Sequence, residues 1–476
     1  MIFSSFVFLF FLATVISLCV VVPQKYRKLV LLVASYYFYA YWDARFTLLI
    51  LASTLVDFIV GPLIHHARTQ VARRLFLCVS LLSNLGILFF FKYYNFFVDS
   101  ASQVLSTWGL NVSNLDIILP VGISFYTFQT MSYSIDIYRG KIKPIRKIVD
   151  FALFVSFFPQ LVAGPIVRAS EFLPQLKNPI KITRENLWVG LQIFLMGLFK
   201  KLMIADAVAP LVDQVYANPA YFSPVTVWLA IIGYGIQIYC DFSGYSDMAI
   251  GCARMLGFRF NQNFNMPYLS RNITEFWRRW HISLSSWLRD YLYISLGGNR
   301  KGNLRTYVNL LVTMLLGGLW HGASWNFVIW GGVHGMALGA HRFWNGRSAN
   351  HSSKVKINPS RAILTIGHIG RVGATLLFVL LTWVFFRSQD LDTTLAIFRK
   401  LLFIDTGGAT WIYIYLVIAI LFCVVGHIVG TRRDADEHIY FHSPRSFAAA
   451  FAVVITCLTI FVFAPNNVSP FIYFQF

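Results

Sequence analysis

The chain has 476 residues, of which 57% are hydrophobic, 17% aromatic and only 13% charged. So few polar side chains cannot cover a soluble globule of this length, which excludes a soluble globular protein and predicts a membrane protein. The formal charge of +20 arises from 40 Lys and Arg against 20 Asp and Glu. In a membrane protein such an excess follows the cytoplasmic loops, so we predict a lipid bilayer, and no nucleic acid, as its partner.

Apolar runs that are long enough to cross or enter a bilayer recur along the whole chain. A spanning helix needs about 20 residues, and by that measure we count roughly 11 to 13 transmembrane or re-entrant helices. We therefore predict an all-α, polytopic fold in which residues 1–476 form a single membrane domain. Within it, the polar stretch 345–361 is predicted to be a cytoplasmic loop.

Basic residues are concentrated in alternate loops. Clusters lie at 25–28, 65–74 and 139–147, whereas the loops 99–114 and 206–222 contain no Lys or Arg. Because basic loops remain in the cytoplasm, this alternation places the N-terminus outside and the three basic clusters inside.

The segment 254–305 interrupts the series of apolar runs because Arg and Lys recur through it. Such a segment cannot cross the membrane exposed to lipid, so we predict that it lies at the cytoplasmic interface or enters and returns. Asn272 followed by Glu275 is typical of a capped helix start, and the following run predicts one helix as far as Leu296.

On that helix Trp277, His281 and Ser285 would share a face, because residues four apart are neighbours on a helix. His281 is a candidate site residue that could orient a donor molecule, share a proton or stabilise an oxyanion. The alternative is a solvated interfacial histidine flanked by arginines.

Residues 306–341 predict a short helical hairpin with arms 306–320 and 325–341. An arm of about 15 residues reaches only about 22 Å, less than a hydrocarbon core of about 30 Å. The turn that carries His321 would then lie inside the membrane, where irregular backbone must be buried in protein or line a cavity. We therefore expect His321 at the wall of an internal chamber.

His321 is the candidate general base, which would activate an acceptor hydroxyl as it attacks a thioester carbonyl. A buried imidazole stays neutral, which is the form a base needs. The alternative is a core histidine bonded to a carbonyl group. His321, His334 and His341 are spaced too irregularly for a zinc pattern, and the six cysteines are scattered singly, so we predict no metal.

Polar residues at the end of the apolar run 223–251 allow two interpretations. Asp241, Ser243, Ser246 and Asp247 line a polar path, or they form a structural network that neutralises arginines at 278, 279 and 289. We favour the structural network. Lys200 and Lys201 would either face anionic groups of a donor or extend their stems to an interface.

Several motifs in one order resemble the membrane-bound O-acyltransferase family, in its bacterial branch that modifies exported polysaccharides such as alginate and cellulose. They are Leu161-Val-Ala-Gly-Pro165, Asp241-Phe-Ser-Gly-Tyr-Ser-Asp247, Asn263-Phe-Asn-Met-Pro-Tyr268, Trp280-His281, Leu288-Arg-Asp-Tyr-Leu292 and Trp320-His-Gly-Ala-Ser-Trp-Asn326.

The resemblance implies a helical bundle around a central funnel or tunnel in a bacterial inner membrane. It implies that His321 is catalytic and His281 is the second important histidine. Further site residues on the matching motifs are expected to bind substrate; these are Trp280, Ser283, Arg289, Asp290, Trp320, Ser324 and Asn326.

The resemblance also implies an O-acetyltransferase with acetyl-CoA as the donor and no bound cofactor. Periplasmic acetyl-transfer proteins and a polysaccharide acceptor would be its partners, with direct transfer and transfer through a partner both open. A transporter that uses buried His and Asp residues as a proton relay is the rival function, and an export-complex subunit is a third. We see no inverted repeat that would favour the transporter.

Overall fold

The computed structural model describes residues 1–109, 113–162, 164–351, 361–430, 446–464 and 471–472. In this part of the chain there are twenty α-helices and no β-strand. In chain order they are α1 (Phe6–Val21), α2 (Gln24–Ala40), α3 (Thr47–His66), α4 (Gln70–Leu88), α5 (Tyr94–Thr107), α6 (Ile123–Tyr138), α7 (Ile148–Ser156), α8 (Phe158–Leu161), α9 (Ala169–Leu176), α10 (Arg184–Phe199), α11 (Asp206–Ala217), α12 (Pro224–Met255), α13 (Ile273–Arg279), α14 (Ile282–Trp287), α15 (Gly302–His321), α16 (Trp325–His351), α17 (Arg361–Arg387), α18 (Leu391–Leu401), α19 (Ile414–Gly430) and α20 (Phe447–Phe463).

Five helical stretches among the described residues are long and apolar enough to cross a membrane, and three shorter helices are also apolar. The five are Ala44–His66, Gln70–Ser102, Arg184–Ala217, Pro224–Met255 and Gly367–Arg387. The predicted all-α membrane fold is therefore confirmed, while the number of spans and the central funnel stay predictions. The predicted loop 345–361 is helical up to His351, and its residues 352–360 lie outside the described part.

The chain divides into two compact units, each considered as far as the structure describes it. Unit 1 comprises residues 1–197, 245–261 and 439–449, and unit 2 comprises 198–244, 262–438 and 450–476. Both histidines that the sequence singles out belong to unit 2.

Unit 1 contains a buried carboxylate that joins three helices. Asp57 of α3 accepts hydrogen bonds from Ser80 Oγ at 2.5 Å and Asn84 Nδ2 at 2.7 Å, both on α4. A third comes from Ser134 Oγ of α6 at 2.7 Å, and Thr130 of α6 donates to Asn84 Oδ1 at 2.9 Å. Because an apolar surrounding offers no water, these groups must satisfy one another. The network was not foreseen from the sequence.

Unit 2 contains a buried ion-pair cluster that corrects one expectation. Lys201 Nζ lies 2.9 Å from Asp206 and 2.5 Å from Asp241, and all three side chains are at most 2% exposed. The second oxygen of Asp241 accepts the Ile472 N–H at 2.8 Å. Asp241 is therefore part of a structural network, but its cation is Lys201 and not an arginine. Two of the three arginines pair with other carboxylates: Arg279 with Glu275 at 2.9 Å and Arg289 with Asp290 at 2.7 Å.

The hairpin of α15 and α16 is longer than the sequence predicts. Helix α15 has 20 residues and α16 has 27, in place of arms of about 15. A helix of 20 residues spans about 30 Å, so helix length alone does not place His321 in the middle of a membrane. The turn is Gly322–Ser324, and His321 is the last residue of α15.

Two glycines allow α15 and α16 to pack backbone against backbone. A Cβ on Gly318 would lie 2.2 Å from the Phe327 carbonyl oxygen, and one on Gly331 would lie 2.2 Å from that of Met314. Neither contact is sterically possible for a larger residue, so the glycines set the close approach that fixes the position of His321.

Replacement of Asp57 by alanine is expected to destabilise the protein by about 2 to 4 kcal/mol, because three buried donors lose their acceptor. Unfolding in detergent, followed by circular dichroism, measures the change. Asp116→Ala is the matched control: Asp116 is exposed in unit 1, and its loss should cost less than about 0.5 kcal/mol. Equal stability of the two variants would contradict the assigned role of the network.

Candidate active site

His281 lies at a break between two helices. Asn272 caps α13 as predicted, with its side chain accepting the Glu275 N–H at 2.8 Å. The helix nevertheless ends at Arg279, and His281 has left-handed backbone with φ of 43°. The prediction of one helix with Trp277, His281 and Ser285 on a shared face is therefore wrong.

Distant backbone contacts explain this break. The Ile282 N–H donates to the Asn263 carbonyl at 2.9 Å, and the Asn265 N–H donates to the Arg279 carbonyl at 2.9 Å. The loop 263–265 thus takes the hydrogen bonds that a continuous helix would make for itself. A non-glycine residue in left-handed backbone is uncommon and costs about 1 to 2 kcal/mol, and such residues cluster at functional sites.

The Asn263 side chain determines the tautomer of His281. Its Oδ1 accepts the Ser283 N–H at 3.2 Å and Ser283 Oγ at 2.9 Å, so the atom that faces these donors must be the oxygen. The same oxygen lies 3.3 Å from His281 Nδ1. Because an amide oxygen only accepts, Nδ1 must carry the ring proton and donate it.

Nε2 of His281 is therefore the nitrogen with a free lone pair. It is buried and has no hydrogen-bonding partner among the described residues. Burial lowers the pKa of the His281 imidazole to about 3, so the ring is neutral at physiological pH. Its open nitrogen can accept a hydrogen bond or a proton, but it carries no N–H to stabilise an oxyanion.

His321 is enclosed by aromatic rings. Its ring centroid lies 5.0 Å from Trp320, 5.2 Å from Trp330 and 5.2 Å from Phe386. The side chain is 4% exposed. These rings shield the His321 imidazole from solvent, which places a potential general base in a buried setting.

Trp320 brings the two histidines into one site. The centroid of its ring lies 5.0 Å from that of His321 and 6.2 Å from that of His281, edge to face in both cases. Phe242 lies on the other side of His281, with ring centroids 4.6 Å apart at 89°. The two histidines, 40 positions apart in the sequence, thus share one buried aromatic cluster within unit 2.

Two other residues that were predicted to bind substrate also lie at this cluster. Ser283 donates to Asn263 beside His281, and its Oγ lies 3.4 Å from His281 Nδ1. Trp280 is 1% exposed and packs on Trp383, with centroids 5.0 Å apart. Ser283 therefore lies beside His281, and Trp280 is buried in the aromatic packing.

The remaining predicted residues occupy two other positions. Arg289 and Asp290 pair with each other at 2.7 Å on the π-helical turn Leu288–Tyr293, and the Arg289 side chain is 64% exposed. Ser324 accepts the Asn326 N–H at 3.3 Å at the start of α16. Asn326 donates to the Ser388 carbonyl at 3.1 Å, and its buried Oδ1 has no partner within the described residues.

His334 lies close to this cluster but has both ring nitrogens bonded. Trp277 Nε1 donates to its Nδ1 at 3.3 Å, so Nε2 carries the proton and donates to Thr382 at 3.0 Å. His334 is therefore a structural histidine. Over the described residues, no three His, Cys, Asp or Glu side chains come together as a candidate metal site.

Sequence reasoning did not assign a role to Asn263, Trp330, Phe386 or Phe242. Asn263 stands in a motif that carries the family resemblance, but it lies 18 positions before His281 and no local pattern links them. The other three are aromatic residues in apolar runs, where packing is the ordinary explanation.

Comparison with known proteins agrees with the family that the motifs indicate. Residues 145–369 match the model of MBOAT, the membrane-bound O-acyltransferase family. A protein named "Probable alginate O-acetylase AlgI" from Azotobacter vinelandii is 41% identical over all of both chains.

The chain belongs to the membrane-bound O-acyltransferase family. It is a multi-pass membrane enzyme, and its reaction class is O-acyl transfer.

More distant members act on other polymers according to their names. The "Peptidoglycan O-acetyltransferase" of Helicobacter pylori is 38% identical over 79% of this chain and 73% of its own. The "Teichoic acid D-alanyltransferase" of Streptococcus thermophilus is 28% identical over 47% of this chain and 57% of its own. The predicted resemblance and the predicted enzyme class are thereby confirmed, while the roles of individual residues stay predictions.

Replacement of Asn263 by alanine is expected to slow acyl transfer by about 10- to 100-fold, because His281 loses the hydrogen bond that fixes its ring and tautomer. The transfer rate per molecule of protein in membranes is the measurement. Asn303→Ala, at an exposed position of α15, is the control and should keep the full rate. A normal rate for Asn263→Ala would show that His281 does not need this partner.

Proposed function

We propose that this protein transfers an acetyl group from acetyl-CoA in the cytoplasm to a hydroxyl group outside the inner membrane, for the O-acetylation of an exported polysaccharide such as alginate. The proposal is supported by one observation above all: two buried histidines contact the same tryptophan ring within an aromatic cluster. The relatives' names add acyl transfer to polysaccharides as the common reaction.

In the proposed reaction His321 is the general base. A hydroxyl oxygen of the acceptor attacks the thioester carbonyl while the His321 imidazole removes the hydroxyl proton. The resulting tetrahedral adduct collapses, its carbon–sulfur bond breaks, and the thiolate of CoA takes the proton back from the imidazolium. The ester is formed and His321 returns to its neutral state.

His281 has a different role in this proposal. Its open Nε2 accepts a hydrogen bond, and the pantetheine arm of CoA carries amide N–H groups that can donate one. His281 would thus orient the donor, which was one of the roles that the sequence left open. Another of those roles, the stabilisation of an oxyanion through Nε2, does not fit, because the ring proton of His281 points at Asn263.

The acceptor is either the polysaccharide itself or a periplasmic partner protein that passes the acetyl group on. Both routes use the same hydroxyl chemistry at His321. A central funnel or tunnel would let donor and acceptor reach the histidines from opposite sides of the membrane. No bound cofactor or metal takes part in this proposal.

A transporter is the alternative function, in which the buried histidines and Asp241 carry protons. Asp241 is held in an ion pair with Lys201 at 2.5 Å and by the Ile472 N–H, so it is already committed to a structural contact. The family membership of the chain also favours the enzyme.

Replacement of His321 by alanine is expected to lower acetyl transfer by about 10²- to 10⁴-fold, the contribution of a general base. The measurement is the acetyl content of the secreted polysaccharide in cells that hold equal amounts of each variant in the membrane. Polymer yield should stay unchanged.

His368→Ala provides the matched control, because His368 is an exposed histidine of α17. It should leave acetylation intact. Normal acetylation by His321→Ala would remove His321 from the chemistry, and loss of the polymer itself would favour an export function.

A further inference from the structure

Unit 1 contains a cavity of about 790 Å³ that is separate from the residues of the candidate active site. Its walls come from the last two turns of α3, from α9 and from the loop between α6 and α7. A volume of this size is in the range of sites that bind small ligands.

The rim of the cavity is strongly basic. Four of its lining side chains are cationic, namely Lys141, Lys143, Arg146 and Lys177, and two more are the histidines His65 and His66. Among the described residues that line it, none is acidic. Asp136 does not line the cavity; it is 2% exposed and lies 3.7 Å from Lys141. The rim therefore has an excess of positive charge suited to an anion.

The interior of the cavity is apolar. Phe58 and Pro62 of α3, Leu173 of α9, and Ile142 and Ile145 of the loop supply its surface. Apolar walls add no affinity for a small soluble anion such as inorganic phosphate. A charged rim above apolar walls fits an amphiphile, with the anionic group at the rim and the hydrocarbon inside.

The loop that supplies three of the cations is held in place. The Ile145 N–H donates to the Tyr133 hydroxyl of α6 at 3.1 Å, and the Lys141 N–H donates to the Asp136 carbonyl at 2.9 Å. Gly140, with φ of 74°, turns the chain where the loop leaves α6. Because the loop is fixed, its cations do not lose backbone freedom when a ligand binds.

We propose that this cavity binds an anionic phospholipid of the inner leaflet, with the headgroup at the basic rim and hydrocarbon against the apolar walls. Charge complementarity decides the choice of lipid. The basic clusters at 65–74 and 139–147, which define the predicted cytoplasmic side, both contribute to the rim. That leaflet carries the anionic lipids, which nearby Lys and Arg side chains attract electrostatically. The site is independent of the acyl-transfer reaction proposed above.

The test uses the full-length protein, purified in detergent and freed of lipid, titrated with spin-labelled phosphatidylglycerol and phosphatidylcholine. Phosphatidylglycerol should bind at least tenfold more tightly than phosphatidylcholine. The triple variant Lys143→Gln, Arg146→Gln, Lys177→Gln should lose at least tenfold of that affinity. The control triple Lys25→Gln, Arg68→Gln, Arg74→Gln removes the same charge from exposed positions of unit 1 and should bind within about twofold of the unchanged protein.

A second variant tests the cavity without a change of charge. Ser170 lines the cavity at an exposed position, so Ser170→Trp should fill it and weaken phosphatidylglycerol binding. If the triple variant does not fold, Ser170→Trp still tests the proposal. Equal binding of the two lipids, or full affinity in the triple and Ser170→Trp variants, would overturn the proposal.

Soluble competitors distinguish other sources of the phosphate group. Millimolar inorganic phosphate or CoA should leave bound phosphatidylglycerol in place. Displacement by phosphate would reassign the cavity to a free anion, and displacement by CoA alone would reassign it to the acyl donor. Either result would overturn the proposal that the cavity binds a lipid.

Discussion

Polar groups inside this apolar chain must find partners within the protein, because a bilayer offers none. The structure meets this constraint in three places with networks of different chemistry. Asp57 collects hydroxyl and amide donors in unit 1, Lys201 is matched by two carboxylates in unit 2, and His334 is bonded at both ring nitrogens. Each network fixes helices relative to one another within its own unit.

The candidate site is where that constraint is only partly met. In the aromatic cluster, His281 Nε2 and Trp330 Nε1 are buried and have no hydrogen-bonding partner among the described residues. The Trp330 ring contacts His321. Other such atoms occur elsewhere in both units, so an open polar atom alone does not define a site. In this cluster one open atom belongs to His281, which also has left-handed backbone. Strain and unmet hydrogen bonds in one place are what a binding site for a polar substrate requires.

Much of the fold could be predicted from the sequence, because apolar runs of helical length specify it. The cap at Asn272 was also predictable, since a capping box is a local pattern. The break at His281 was not, because the bonds that cause it come from residues 263–265, which are distant in the sequence from His281. The length of α15 was underestimated for a related reason: hydropathy alone does not show that the polar residues at its start are helical.

The site was predictable to a similar extent. His281 and His321 stand out as titratable residues in apolar sequence, and each follows a tryptophan. The choice of Arg289 and Asp290 followed from motif membership alone, and the structure pairs these two with each other on an outer turn. Asn263 could not be assigned, because only the fold brings it to His281 and only its hydrogen bonds reveal the tautomer that it imposes.

In the proposed reaction His281 and His321 act as one unit on the same pair of substrates. A double-mutant cycle tests this most directly, with rates of acetyl transfer measured for His281→Ala, His321→Ala and the double variant at equal abundance. The double variant should be no slower than the slower single variant, because either loss already disables the shared site. Losses that multiply would show two independent contributions and would contradict a common reaction centre.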